Sequence, residues 1–306
     1  MPSRSDFVEV KRLAAGRAGG QNASLFIVKL QSTGKKYTEQ RVDMKTIKNG
    51  YGRREVSAMR ELYGFPYIIR YKADDLDCRR LGYGSIFMQY CELGSLDGVI
   101  RRFADKKLYL PNEGSLWSGR SSGMFHLRSA TCVLVQTIRP FGIVQWNSYT
   151  HRDLKPANLF ISDDDIPGAD KSVFPTIIVG DMGCSTSLRD VELGILKQHR
   201  HSGYTPHFVP PESPSYNERG DIYTLALIIH CLARMISKPD LAHHSALPSR
   251  YKDERLRSLM AKCLEKDPFK RPAPTHLPAL VWKGYAGWRK VQKDGKAIPL
   301  PKWALP

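Results

Sequence analysis

His151-Arg152-Asp153-Leu154-Lys155-Pro156-Ala157-Asn158 is the stretch on which the reading of this chain turns. It places a carboxylate, an ammonium and a carboxamide within one short run, and Asn158 lies five residues beyond Asp153, close enough for one loop to present both to one site. In such a loop Asp153 can accept a hydroxyl proton, the Asn158 amide oxygen can bind a metal ion, and Lys155 can neutralise negative charge. Downstream, Thr176-Ile177-Ile178-Val179 is a β-branched strand that delivers Gly180-Asp181-Met182-Gly183. Asp181 is then a second carboxylate suited to Mg2+.

Outward from these loops, the first ninety residues alternate short apolar runs with turn signals: Phe7 to Val10, Ser24 to Leu30 and Lys36 to Val42, with Ser32-Thr33-Gly34 between the last two. That pattern predicts a small antiparallel sheet. Val56, Met59 and Leu62 recur at helical spacing within Arg53 to Leu62, and Tyr83 to Tyr90 returns to a strand pattern. After Gly94 long helical segments dominate, including Asp221 to Ile236 and Arg255 to Glu265. The expected fold class is α+β, with a sheet-rich half that carries one helix and a larger, mainly helical half.

The order of these features resembles the protein kinase family. H-R-D-L-K-P-A-N followed by a strand and D-M-G is similar to that family's catalytic and magnesium-binding loops, and the resemblance covers roughly residues 7 to 282. It implies a bilobal domain, with the N-lobe at about 7–90, the C-lobe at about 91–282, and a basic tail over 283–306. Tyr204-Thr205-Pro206 to Pro210-Pro211-Glu212 resembles the close of an activation segment, with Thr205 positioned to contact Asp153 and Lys155. Asp221 resembles the helix carboxylate that supports the catalytic loop, and Arg271 the partner of Glu212. Arg152 beside Asp153 resembles kinases whose activation segment is ordered by phosphorylation, with Ser185, Thr186, Ser187 and Ser202 as nearby hydroxyls.

Within the family, Arg54 to Leu62 and Phe87-Met88-Gln89-Tyr90-Cys91-Glu92 are most similar to the NIMA-related branch. On that comparison Met88 is the gatekeeper, Gln89 to Cys91 offer backbone groups to adenine, and Glu55 is the helix carboxylate that holds the nucleotide-binding lysine. The resemblance implies ATP and Mg2+ as cofactors, a protein Ser or Thr hydroxyl as acceptor, Asp153, Lys155 and Asn158 as catalytic residues, and Asn158 and Asp181 as metal ligands.

Four places depart from the family pattern. The strand residue that binds the α- and β-phosphates is a lysine in the family. One register puts Gln40 there; another, through Val42-Asp43-Met44-Lys45, puts Lys45 there. Gln40 is preferred, because it lies 15 residues before Glu55, whereas Lys45 lies 10 before it and leaves little chain for a turn and a helix start. Gln40 can hydrogen-bond a phosphate but brings no charge, so a pseudokinase that binds without catalysing stands as the alternative to an active kinase. The segment Leu13 to Asn22 has no clean G-x-G-x-x-G, although Gly16, Gly19 and Gly20 would let backbone N–H groups approach phosphates. Asp153 and Asp181 are 28 residues apart, the excess falling in the acidic stretch Ser162 to Asp170, and Ser118 to Gly123 is a poor helix former where a long helix is expected.

Bulk composition narrows the class without choosing the function. The 306 residues are 42% hydrophobic and 25% charged, as in a folded globular protein. Six scattered cysteines with no C-x-x-C pair suggest reduced thiols, hence an intracellular protein in cytoplasm or nucleus. The first residues lack a signal-peptide pattern and a Gly at position 2, and the apolar run Ile222 to Ile236 is too short to span a bilayer, so no membrane role is expected. The net charge of +17 is spread without a polybasic block, which predicts a solvated basic surface rather than a nucleic-acid binder. A monomer is the expectation.

Overall fold

The computed structural model describes residues 2–14, 24–65, 67–77, 81–108, 149–162, 176–194, 205–214, 217–240, 254–281, 283 and 306. Gly16, Gly19, Gly20, Ser202, residues 163–170 of the acidic stretch, residues 118–123 and most of the basic tail lie outside them.

The apolar runs of the N-terminal half pair as read. β1 (Phe7–Ala14), β2 (Ser24–Leu30), β3 (Lys36–Asp43), β4 (Tyr71–Asp75) and β5 (Tyr83–Gln89) form one antiparallel sheet of order β1-β2-β3-β5-β4. Gly34, at φ +71°, closes the β2–β3 hairpin by donating its N–H to Leu30 O at 2.8 Å. Period-two alternation sorts β3 between two environments. Its outer face joins an apolar cluster of Phe7, Phe26, Val28, Leu30, Ala73 and Phe87, in which Phe7 stacks on Phe87 at 4.0 Å. Glu39 is buried beside that cluster, paired with Arg4 at 2.6 Å and Arg41 at 3.1 Å, and accepts from Ser85 Oγ at 2.7 Å. The pairing offsets the cost of burying a carboxylate.

The strand stops where the second register would have continued it. Asp43 accepts the Thr46 N–H at 2.8 Å and caps a short helix, α1 (Met44–Lys48), which the sequence reading does not predict. The N-lobe thus carries α1 as well as the expected helix α2 (Tyr51–Glu61), whose Val56 and Met59 pack under the sheet with Val42, Ile86 and Met88.

The C-lobe is predominantly helical. α3 (Leu96–Asp105) begins at Ser95, whose Oγ accepts the Gly98 N–H at 3.4 Å, and buries Leu96, Val99, Ile100 and Phe103 on one face. α4 (Leu188–Glu192), α5 (Glu218–Arg234) and α6 (Glu254–Cys263) follow. α5 is buried on every side over Gly220 to Ala233, so the apolar run read as a core helix is one. Among the described residues, no helix is long and apolar enough to cross a membrane. Two small ribbons carry the site: β6 (Tyr149–Thr150) pairs with β9 (Thr186–Ser187), and β7 (Leu159–Ser162) with β8 (Thr176–Val179). β8 also ties the lobes together, since Val179 accepts the Ile69 N–H and donates to Tyr67 O, both at 2.8 Å.

Candidate active site

The loop between β6 and β7 is held from beneath. Asp221, fully buried in the first turn of α5, accepts the His151 N–H at 2.6 Å and the Arg152 N–H at 2.8 Å. Burial pushes its carboxyl up to about 6, against the lowering effect of His151 and of these two bonds. The clamp has a backbone to restrain, because Arg152 sits at φ +67°, a conformation that costs a side-chain-bearing residue on the order of 1–3 kcal/mol. His151 then reaches sideways, with Nε2 3.0 Å from Gly180 O, and so joins this loop to the one that carries Asp181.

Above the clamp, Asp153 is the centre of a tight polar cluster. Lys155 Nζ donates to Asp153 Oδ2 at 2.6 Å and to Thr205 Oγ1 at 2.8 Å, while Thr205 Oγ1 donates to Asp153 Oδ1 at 2.6 Å. Asn158 turns its Nδ2 to Asp153 O at 2.8 Å, which leaves the oxygen end of that amide as the branch suited to a cation. Thr205 is 50 residues from Lys155, so the fold brings it to the loop.

Asp181 leaves β8 at φ +60° and precedes a tight 3-10 turn, Met182–Cys184. Its carboxyl is raised by burial first and by Asp153 second, opposed by Lys155 and His151. Gly180 donates its N–H to Asn158 O at 3.0 Å, which holds the two candidate metal-binding loops side by side. Gly180 also has no room for a side chain, since a Cβ there would lie 2.7 Å from Phe160 Cε2. Two oxygen-bearing side chains on adjoining loops form a donor set that fits a hard divalent cation.

Across the cleft, Gln40 is opposite Leu25 on β2 and Ile86 on β5, and its Nε2 donates to Glu55 Oε2 at 3.1 Å. Lys45 is exposed on α1. Arg41 lies on the other face of β3, its guanidinium 3.6 Å from the centre of the Phe26 ring. Glu55 is buried, and burial with the nearby Asp181 charge pushes its carboxyl up to about 8, against the lowering effect of the Gln40 bond. At the back of the cleft Met88 is buried and Cys91 lies just beyond β5. The Gln89 N–H donates to Arg70 O at 2.8 Å.

Supporting residues fall where the resemblance implied. Arg271 Nη1 and Nη2 meet Glu212 Oε1 and Oε2 at 2.5 and 2.7 Å, and Arg271 Nε donates to Glu265 O at 2.8 Å. Thr186 is buried in β9, and Ser187 Oγ accepts the Asp190 N–H as the cap of α4. Sequence reasoning missed the His151–Gly180 link and the tight fit at Gly180. The only local signal for either was a glycine before Asp181.

The family model described as protein kinase domain matches residues 16–282. A probable serine/threonine-protein kinase nek2 of Dictyostelium discoideum is 26% identical over 204 residues, 61% of this chain and 42% of that protein. The serine/threonine-protein kinase Nek2 of Homo sapiens is 28% identical over 242 residues, 72% of this chain and 46% of its own length. An interferon-induced, double-stranded RNA-activated protein kinase of Rattus norvegicus is 25% identical over 313 residues, 95% of this chain and 54% of that protein. The chain therefore spans about half the length of these curated relatives or less. With a bilobal α+β fold, a polar loop centred on a carboxylate and a match over most of its length, this chain belongs to the protein kinase family, and its relatives include NIMA-related kinases.

Proposed function

We propose that the cleft binds ATP with Mg2+ and that the chain transfers the γ-phosphoryl group to a Ser or Thr hydroxyl of a protein. The observation that carries this reading is the Asp153 carboxylate held between Lys155 Nζ at 2.6 Å and Thr205 Oγ1 at 2.6 Å. Asp153 orients the acceptor hydroxyl and takes its proton as the new oxygen–phosphorus bond forms and ADP departs. Lys155 stays beside Asp153 and steadies the charge on the transferring group. Asn158 and Asp181 would hold the metal ion, whose charge offsets that of the phosphates when it is bound. Met88 and the backbone at positions 89 and 91 would border the adenine.

A second reading, a pseudokinase that binds partners without catalysis, is favoured by one observation: Gln40, a neutral amide, is the side chain that meets Glu55. The deciding experiment measures phosphate transfer from Mg-ATP to a generic basic protein, with Asp153→Asn as the inactive control. Transfer by the natural chain that the control loses supports the kinase. No transfer by the natural chain, with transfer gained on Gln40→Lys, would replace it with the pseudokinase.

A further inference from the structure

The charges on the N-lobe side of the cleft do not balance. Glu55 is 2% exposed; among the described residues its Oε2 accepts only from the neutral Gln40, and its buried Oε1 has no hydrogen-bond partner. Asp181 lies across a small gap. A Cβ built on Gly183 would sit 3.3 Å from Asp181 Oδ1, 3.5 Å from Glu55 Oε2 and 3.7 Å from the Glu55 carboxyl carbon, so both carboxylates border the same space, and the glycine keeps it open. Among the described residues, neither carboxylate is in a salt bridge.

We propose that a divalent cation of the Mg2+ or Mn2+ class occupies this gap and supplies the charge that a strand lysine would otherwise bring, bound by Glu55, Asp181 and the amide oxygen of Gln40. The donors are all oxygen, which selects a hard cation over zinc or copper. The site differs from the Asn158–Asp181 pair in needing Glu55 and Gln40, and it forms without nucleotide. Its role, neutralising the phosphates' approach, rests on the proposed ATP-binding function; its existence does not.

The test is a titration of Mn2+ into the full chain without nucleotide, followed by electron paramagnetic resonance. The natural chain should bind Mn2+, and Gln40→Lys and Glu55→Gln should each weaken that binding by about tenfold or more, since one adds a competing cation and the other removes a ligand charge. Lys45→Ala, on the exposed face of α1, should leave it unchanged. Binding that survives both Gln40→Lys and Glu55→Gln, or no binding at millimolar Mn2+, overturns the proposal. Thermal melting confirms that each variant is folded, and Gln40→Lys at the half-buried strand position decides alone if Glu55→Gln does not fold. Separate titration with a fluorescent ATP analogue distinguishes the two claims: Mn2+ bound but nucleotide refused would sink the ATP-binding reading and leave this site standing.

Discussion

Replacing Glu55 with Gln should make the protein more stable at neutral and alkaline pH, and the gain should grow with pH. Glu55 is buried beside Asp181, and its carboxyl is raised from 4.5 to about 8. In the unfolded chain the carboxyl ionises freely above 4.5; in the folded chain it keeps its proton until pH 8. The folded state therefore binds more protons across that window, and by linkage its stability falls as pH rises through it, levelling off above pH 8. At 1.36 kcal/mol per pK unit the cost is under about 1 kcal/mol at pH 5, about 3 kcal/mol at pH 7 and nearly 5 kcal/mol at pH 9. Gln keeps the shape and can still accept the Gln40 hydrogen bond, but its added N–H group in a buried site returns about 1–3 kcal/mol. The constant offset is thus small or adverse, whereas the pH dependence of the difference is diagnostic. Urea unfolding of both chains at pH 5, 7 and 9 in EDTA should show the variant gaining about 4 kcal/mol on the natural chain from the lowest pH to the highest. Parallel curves would refute the reasoning, because they would mean that Glu55 is already ionised in the fold.

Other perturbations separate chemistry from architecture. Asp153→Asn removes the proton acceptor and should lower the transfer rate about 10²–10⁴-fold, with a melting temperature close to that of the natural chain, read by paired kinetic and calorimetric measurement. Arg271→Met strands the Glu212 carboxylate and should cost about 3–5 kcal/mol in urea unfolding; a change under about 1 kcal/mol would show the pair to be dispensable. Asp221→Ala leaves the His151 and Arg152 N–H groups without their acceptor at about 1–3 kcal/mol each, offset in part by relief of a buried carboxylate. Its transfer rate should drop more than its stability, and unchanged kinetics would mean that the loop holds its shape unaided.

Much of the candidate site was legible because its chemistry is local. Asp153, Lys155 and Asn158 share one loop, and a single strand delivers Asp181. The 15-residue spacing from Gln40 to Glu55 was also enough to choose between two strand registers, since a turn and a helix start need that much chain. The competing register failed for a reason also present in the residues, as Asp43 followed by Thr46 is a helix cap and ends the strand. Harder to see were the consequences of contact between distant segments. The commitment of the Gln89 amide depends on how β4 lies against β5, and the His151–Gly180 link depends on two loops that meet only after the ribbons pair.

By itself the sequence determined which chemical groups are available and in what order: a carboxylate, ammonium and carboxamide on one loop, a second carboxylate after a strand, and an uncharged amide where a lysine would be expected. Those properties follow from residue type and spacing along the chain. Only the tertiary structure decided what surrounds each group, and with it the charge each one holds. Glu55 is an ordinary glutamate in the sequence; burial under the sheet, beside Asp181 and with a neutral partner in Gln40, turns it into an acid with a pKa of about 8. Desolvation and the proximity of charges are set by three-dimensional packing, and they decide the electrostatics of the cleft in which the resemblance places phosphoryl transfer.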